Sequence, residues 1–137
     1  MNYTVKEIAD FLAEAPMCFI ATVSNNEPRV RAFLYKFEQE GKLWFATAKF
    51  KDVFKQLQAN PAVEICTVKP DKSWLRINGK VTLEDNRAVK ERILAEVPRL
   101  KEIFGTADHP DFTTFYLDHG TYTTDDFSDN PPLSGSF

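Results

Sequence analysis

Residues 17–48 read MCFIATVSNNEPRVRAFLYKFEQEGKLWFATA, and this stretch decides the fold class. It holds three runs rich in apolar, aromatic and β-branched residues, separated only by the turn sequences NNEP and QEGK. Because no helix lies between these runs, consecutive strands are predicted to pair antiparallel, which disfavours an open parallel α/β sheet. Further strands are predicted at residues 62–68, 74–84 and 113–124. Six strands in one domain predict a mainly β protein, a small antiparallel β-barrel with flanking helices.

Short helices are predicted around these strands. Thr4 followed by Glu7 forms a capping-box pattern, and apolar residues then recur at helical spacing as far as Pro16. Residues 50–59 carry a second amphipathic pattern that ends at an Asn-Pro pair. Asp85 or Asn86 can cap a third helix that runs to Glu96, and a last short helical segment is predicted from Pro98 to Gly105.

The predicted strands are apolar on both faces. In the second strand, Val30, Ala32 and Leu34 alternate with aromatic residues that point to the opposite side. A barrel strand normally alternates apolar residues inside with polar residues outside. An apolar outer face is normally buried against another surface. We expect a second copy of the chain to bury it.

Composition bounds the function. The chain has 137 residues, predicted as one domain over residues 1–124 and a polar C-terminal tail over 125–137. A net charge of -3 argues against a nucleic-acid surface, and no apolar run is long enough to cross a membrane. The N-terminus lacks the pattern of a secretion signal. Cys18 and Cys66 are expected as buried, reduced thiols, so we expect a cytoplasmic protein.

A phosphate site is predicted where the third strand passes into the second helix, in residues 45–61, FATAKFKDVFKQLQANP. Thr47 offers a hydroxyl, Lys49 and Lys51 offer ammonium groups, and the start of a helix offers free amides. Arg29 and Arg31 lie two residues apart on the preceding strand and therefore share a face. Guanidinium groups bind anions and stack on planar rings. The set suits a ligand with a phosphate at one end and a flat polar ring at the other.

Three segments resemble the pyridoxamine 5'-phosphate oxidase-related family of flavin-binding split barrels. These are PRVR at residues 28–31, FATAKFKDVFKQLQANP at 45–61 and WLRINGKV at 74–81, in that order and spacing. The resemblance implies a six-stranded antiparallel Greek-key split barrel. It also implies a homodimer that binds FMN at the subunit interface.

The resemblance further implies roles for particular residues. Arg29, Val30 and Arg31 would follow the flavin ring and ribityl chain, and Ala46 and Thr47 would lie at the end of the next strand. Lys51 would bind the FMN phosphate with Lys49 as a helper, and Gln56 would reach the same region. Trp74 and Arg76 would reach the FMN site of the other subunit in the dimer. For Trp74, a purely structural role in the core or the interface is an equal alternative.

The leading functional interpretation is a flavin-dependent oxidoreductase, with NADH or NADPH as candidate donor and a small planar acceptor. The alternative is a non-catalytic module that stores or senses flavin, or binds haem or a deazaflavin. Residues 125–137 contain no arginine, unlike the basic C-terminal segment of true pyridoxamine phosphate oxidases, so that reaction is not expected. No catalytic acid, base or metal ligand is predicted, because His109 and His119 stand without a ligand pattern.

Overall fold

A computed structural model describes residues 3–137. Four helices and ten strands alternate along this part of the chain: α1 Val5–Glu14, β1 Met17–Ser24, β2 Glu27–Leu34, β3 Phe37–Gln39, β4 Lys42–Ala48, α2 Asp52–Ala59, β5 Ala62–Val68, β6 Trp74–Lys80, β7 Thr82–Leu83, α3 Arg87–Glu96, α4 Pro98–Phe104, β8 Phe112–Leu117, β9 Thr121–Asp125 and β10 Leu133–Ser136. Across residues 3–137, no helix has the length and apolar character that a membrane crossing requires.

The strands form two antiparallel sheets. One sheet has the order β10-β9-β6-β5-β1-β2, and the other has the order β3-β4-β8-β7. Strand β2 is therefore the edge of the first sheet, and it pairs with β1 over its whole length from Met17↔Leu34 to Ser24↔Glu27. The predicted mainly β split barrel is confirmed, and its two sheets enclose the main core.

Three of the six predicted strands are broken where the chain passes from one sheet to the other. The predicted second strand was continuous, whereas the structure divides it into β2 and β3 at Tyr35 and Lys36. There the amide of Tyr35 donates to the Pro16 carbonyl at 2.8 Å, and that of Lys36 donates to the Trp44 carbonyl at 3.2 Å. Both amides at the break thus keep a hydrogen-bond partner, and periodicity alone does not reveal the break.

The predicted helix caps and the first hairpin turn are present in the structure. Thr4 and Glu7 form a complete capping box at α1, and the Asn86 side chain accepts from the Val89 amide at the start of α3. Asn25 and Asn26, with φ of 51° and 62°, make the tight turn between β1 and β2. Both φ values lie in the left-handed region. The two-residue hairpin turn whose twist matches that of the strands requires such values.

The C-terminal segment is more ordered than its composition suggests. We expected a loose polar tail, but its last residues form β10, which pairs with β9 from Leu133↔Thr124 to Ser136↔Thr121. Gly120 and Phe137 exchange two backbone hydrogen bonds of 3.1 and 3.0 Å, and the Phe137 ring packs against the core. Alternation was too weak in LSGS to indicate a strand.

Candidate functional site

A cavity of about 380 Å³ lies in the opening between the edge strand β2 and the end of β4. Helix α4 and the residues before α2 complete its walls. The charged side chains that line it, Arg31, Lys36 and Lys51, are all cationic. Such a cavity favours an anionic ligand, and its volume lies within the range of small-molecule sites.

Arg31 is held in place by a hydrogen-bond network. Its guanidinium donates to the Ile20 carbonyl at 3.2 Å, to Thr22 Oγ1 at 2.8 Å and to Gln56 Oε1 at 2.6 Å. Thr22 Oγ1 donates to the same Gln56 oxygen at 2.6 Å. Burial lowers the pKa of Arg31, and the nearby Asp52 carboxylate opposes this effect. A guanidinium has five N–H groups, so two remain for a ligand after these three bonds.

Thr47 supplies a buried polar atom that needs a partner. Its side chain is only 6% exposed, yet Oγ1 has no hydrogen-bond partner among residues 3–137. An unpaired buried hydroxyl costs about 1–3 kcal/mol. Thr47 lines the cavity, and a ligand acceptor would satisfy Oγ1 once a small shift of the wall exposes this buried atom.

Lys51 sits at the N-cap of α2 and also lines the cavity. Within residues 3–137 no side chain caps α2, and the Phe54 amide already donates to the Lys51 carbonyl at 3.1 Å, so the amides of Asp52 and Val53 are the ones left for an external acceptor. An ammonium group beside free helix amides is a favourable place for a phosphate. The predicted association of Arg31, Thr47 and Lys51 in one place is therefore seen, with Ala46 beside them in the cavity wall.

Other predicted site residues lie outside the cavity lining. Arg29 pairs with Glu27 at 2.8 Å, and Lys49 pairs with Asp85 at 3.5 Å. Gln56 reaches the site through Arg31. Val30 points away from the cavity, on the outer face of the sheet, where it is 68% exposed.

Trp74 and Arg76 lie on that same outer face, far along the sheet on β6. Arg76 pairs with Glu64 at 3.2 Å and stands 5.4 Å from the Trp74 ring centroid. They do not line the cavity of their own chain, and a role for them needs a second chain.

Lys36 is a cavity residue that the sequence reasoning missed. Its Nζ donates to the Leu34 carbonyl at 2.8 Å, and burial lowers its pKa to about 8. The signal that could have revealed it is a lone cation within the aromatic run FLYKF. A charged side chain in a strand that is apolar on both faces either lies at an opening of the sheet or is buried with a desolvation penalty.

The fold defines a split-barrel protein, and its cavity is lined by cationic side chains. A profile of the pyridoxamine 5'-phosphate oxidase family matches residues 4–123. The chain therefore belongs to the pyridoxamine 5'-phosphate oxidase family. A search of curated proteins gave no significant match.

Solved structures share this fold. A NimC/NimA family protein from Clostridium acetobutylicum is 35% identical, with a TM-score of 0.88 over 97% of this chain and 92% of that chain. A pyridoxamine 5'-phosphate oxidase-related, FMN-binding protein from Nostoc punctiforme is 19% identical, with a TM-score of 0.68 over 96% and 95%. A haem-binding protein from Mycobacterium smegmatis is 14% identical, with a TM-score of 0.74 over 99% of this chain and 59% of that chain.

Proposed function

We propose that the cavity binds FMN, with the phosphate held by Lys51 and Thr47 at the start of α2. The observation that carries this proposal is the buried hydroxyl of Thr47, which has no partner within residues 3–137 and shares the cavity lining with two cationic side chains, Arg31 and Lys51. A phosphate oxygen accepts from a hydroxyl, an ammonium group, a guanidinium and a helix amide alike. The residues present thus fit a phosphate-bearing cofactor.

The edge strand β2 suits the rest of the cofactor. An edge strand leaves a row of backbone N–H and C=O groups without strand partners. Residues 31–34 of β2 line the cavity, so the polar rim of a flat ring would meet such groups there. Phe33 also faces this side and packs edge-on against Phe45 and Phe115, which stiffens the wall.

The proposed activity is a flavin-dependent oxidoreduction with NADH or NADPH as donor and a small planar molecule as acceptor. The flavin supplies the redox chemistry when bound. The chain's own part is to anchor the phosphate through Lys51, to orient the ligand through Arg31 and to exclude water with apolar walls. No side chain lining the cavity is an evident acid or base in this proposal except Lys36, whose ammonium can donate.

We further propose a cytoplasmic homodimer that completes the site. The outer face of β1 and β2 carries four apolar cross-strand pairs: Met17↔Leu34, Phe19↔Ala32, Ala21↔Val30 and Val23↔Pro28. Seven of these eight residues are exposed, and Val68 on β5 extends the patch. A contiguous apolar surface of this kind is typical of an obligate interface. In such a dimer, Trp74 of the partner subunit lies on the same packed face.

Absorption spectroscopy of the purified protein tests the cofactor. We expect the two flavin bands in the blue and near ultraviolet, and we expect NADH or NADPH to bleach them anaerobically. A single intense Soret band would instead indicate haem, which is relevant because a haem-binding protein shares the fold. A flavin that dithionite reduces and neither nicotinamide reduces would favour storage or sensing. Rapid oxidation of pyridoxamine phosphate would restore the oxidase reaction.

A further inference from the structure

Helix α4 presents an apolar face to the cavity. Leu100, Ile103 and Phe104 all line it, and a spacing of three and four residues puts them on one side of a helix. Phe104 is fixed by stacking on Phe112 with ring centroids 4.5 Å apart. Leu100 and Phe104 are half-buried against the core cluster that contains Phe112, whereas Ile103 is exposed within residues 3–137.

Phe50 contributes a second apolar surface to the same cavity. It is 64% exposed, and Ile103 is 51% exposed, so the two mark the open mouth. Large apolar side chains at a cavity mouth gain free energy when a flat ring covers them. The phosphate-binding groups, by contrast, are polar and stand at the ends of β4 and α2.

The charges indicate what kind of ring the mouth accepts. Arg31 and Lys51 are committed to the cofactor in our proposal. The Lys36 ammonium donates one of its three N–H groups to the Leu34 carbonyl, and it lies between β2 and β3 and not on the α4 wall. The three α4 side chains in the cavity offer no hydrogen-bonding group, and Arg99 on α4 pairs with Glu102 at 3.1 Å. A charged ligand would lose its hydration against this wall without a matching partner.

We infer that the mouth of the cavity, between Phe50 and Ile103, binds an uncharged planar aromatic ring while the cofactor is bound. This inference rests on the proposed function and names its acceptor class: uncharged aromatic molecules rather than phosphorylated amines.

Calorimetric titration with 2-naphthamide, a redox-inert uncharged ring, tests the inference on FMN-loaded protein. We expect saturable binding that Ile103→Ser weakens about fivefold, because the bound ring would cover the exposed Ile103 side chain and the variant loses most of that apolar contact. Lys101→Ser is the matched control on the same helix, since Lys101 is exposed and does not line the cavity. It should leave the affinity for 2-naphthamide unchanged.

Three results would overturn the inference. Tighter binding of 2-naphthoate than of 2-naphthamide at neutral pH would show an anion site instead. Binding of 2-naphthamide only without FMN would make the wall part of the cofactor's own site. A change in oligomeric mass for Ile103→Ser, without any 2-naphthamide binding to the parent protein, would make it a subunit contact. Each sample is first titrated with FMN: a lack of FMN binding overturns the proposed function, whereas normal FMN binding without 2-naphthamide binding overturns only this inference.

Discussion

Arg31 and Gln56 are joined by a hydrogen bond of 2.6 Å from the guanidinium to Oε1, which ties the edge strand β2 to helix α2. Gln56 Oε1 also accepts from Thr22, so one amide oxygen orients two side chains. The bond matters because the other two bonds of Arg31, to the Ile20 carbonyl and Thr22 Oγ1, both come from Nη1. Without Gln56 the guanidinium would be held at that one nitrogen and could turn about it.

Gln56→Ala should therefore weaken FMN binding about three- to tenfold while changing the free energy of unfolding by only about 1 kcal/mol. Arg31 keeps its charge in this variant and loses its fixed direction. Gln58→Ala, on the exposed side of the same helix, is the control and should bind FMN as the parent does. Fluorescence titration measures both affinities. Equal affinities for the two variants would show that Gln56 does not position Arg31.

Lys51→Ala should weaken FMN at least tenfold and leave riboflavin binding nearly unchanged. A charge-assisted hydrogen bond contributes about 1.5–3 kcal/mol, and riboflavin lacks the phosphate that would accept it. Lys49→Ala is the informative comparison, because the Lys49 ammonium is partly neutralised by the Asp85 carboxylate at 3.5 Å. This substitution should weaken FMN binding less than threefold. Equal losses for FMN and riboflavin in Lys51→Ala would remove the phosphate assignment.

The sequence predicted those parts of the site that depend on neighbours along the chain. Thr47 and Lys51 are four residues apart at a strand-to-helix junction, so local rules bring them together. The junction's distance from Arg31 depends instead on how two sheets face each other. Alternation along β2 indicated which side Arg31 occupies, but no local pattern indicates that Lys49 meets Asp85, 36 positions later in the chain.

The breaks in the strands were missed for a related reason. Residues 29–38 keep apolar alternation through the point where β2 ends and β3 begins, because Phe33 and Tyr35 pack in the main core and Phe37 packs in a second buried cluster beside α3. A pattern of period two reports which side is buried and says nothing about which strand is the neighbour. Lys36 lies at this break, and its place in the cavity follows from the break.

Thr47→Val should have opposite effects on the empty and the loaded protein. Without a ligand, removing a buried hydroxyl that has no partner should raise the free energy of unfolding by about 1 kcal/mol. With FMN, the variant should lose affinity because one donor to the phosphate is gone. Thermal melts with and without FMN measure both.

Thr114→Val is the control for Thr47→Val. The Thr114 hydroxyl accepts from the Asn86 amide at 3.1 Å and donates to the Glu84 carbonyl, so its loss should destabilise the protein by about 1–3 kcal/mol. If Thr47→Val is destabilised as much as Thr114→Val in the empty protein, the Thr47 hydroxyl has a partner and the argument for a ligand there fails.

Val30→Asp should convert the proposed dimer into a monomer. Val30 is 68% exposed in the single chain, so the new carboxylate meets water in a monomer and an apolar partner in a dimer. Light scattering of the parent protein should give about twice 15.7 kDa, and the variant should give the single-chain mass. Lys6→Asp, on the exposed face of α1, is the control and should remain dimeric. A monomeric parent that still binds one FMN per chain would contradict the shared site.

Lys36→Met should stabilise the protein at neutral pH, and the gain should shrink as the pH rises. Burial lowers the pKa of Lys36 from 10.5 to about 8, so the unfolded chain binds more protons than the folded chain between these values. The contribution of Lys36 to stability therefore increases from pH 8 to 10.5, and its penalty is complete below pH 8.

At pH 7 we expect the variant to gain on the order of 1–2 kcal/mol, after discounting for residual solvent and for the lost bond to the Leu34 carbonyl. Burial raises the pKa of Cys18 to about 11 and the Lys36 charge lowers it, so the two residues are coupled. Urea unfolding at pH 7 and pH 10 of parent and variant, both carrying Cys18→Ala, measures the Lys36 effect alone. Lys55→Met, at an exposed position, is the control and should show no such pH dependence. If Lys36→Met raises the free energy of unfolding by the same amount at pH 7 and pH 10, Lys36 is well solvated in the folded protein.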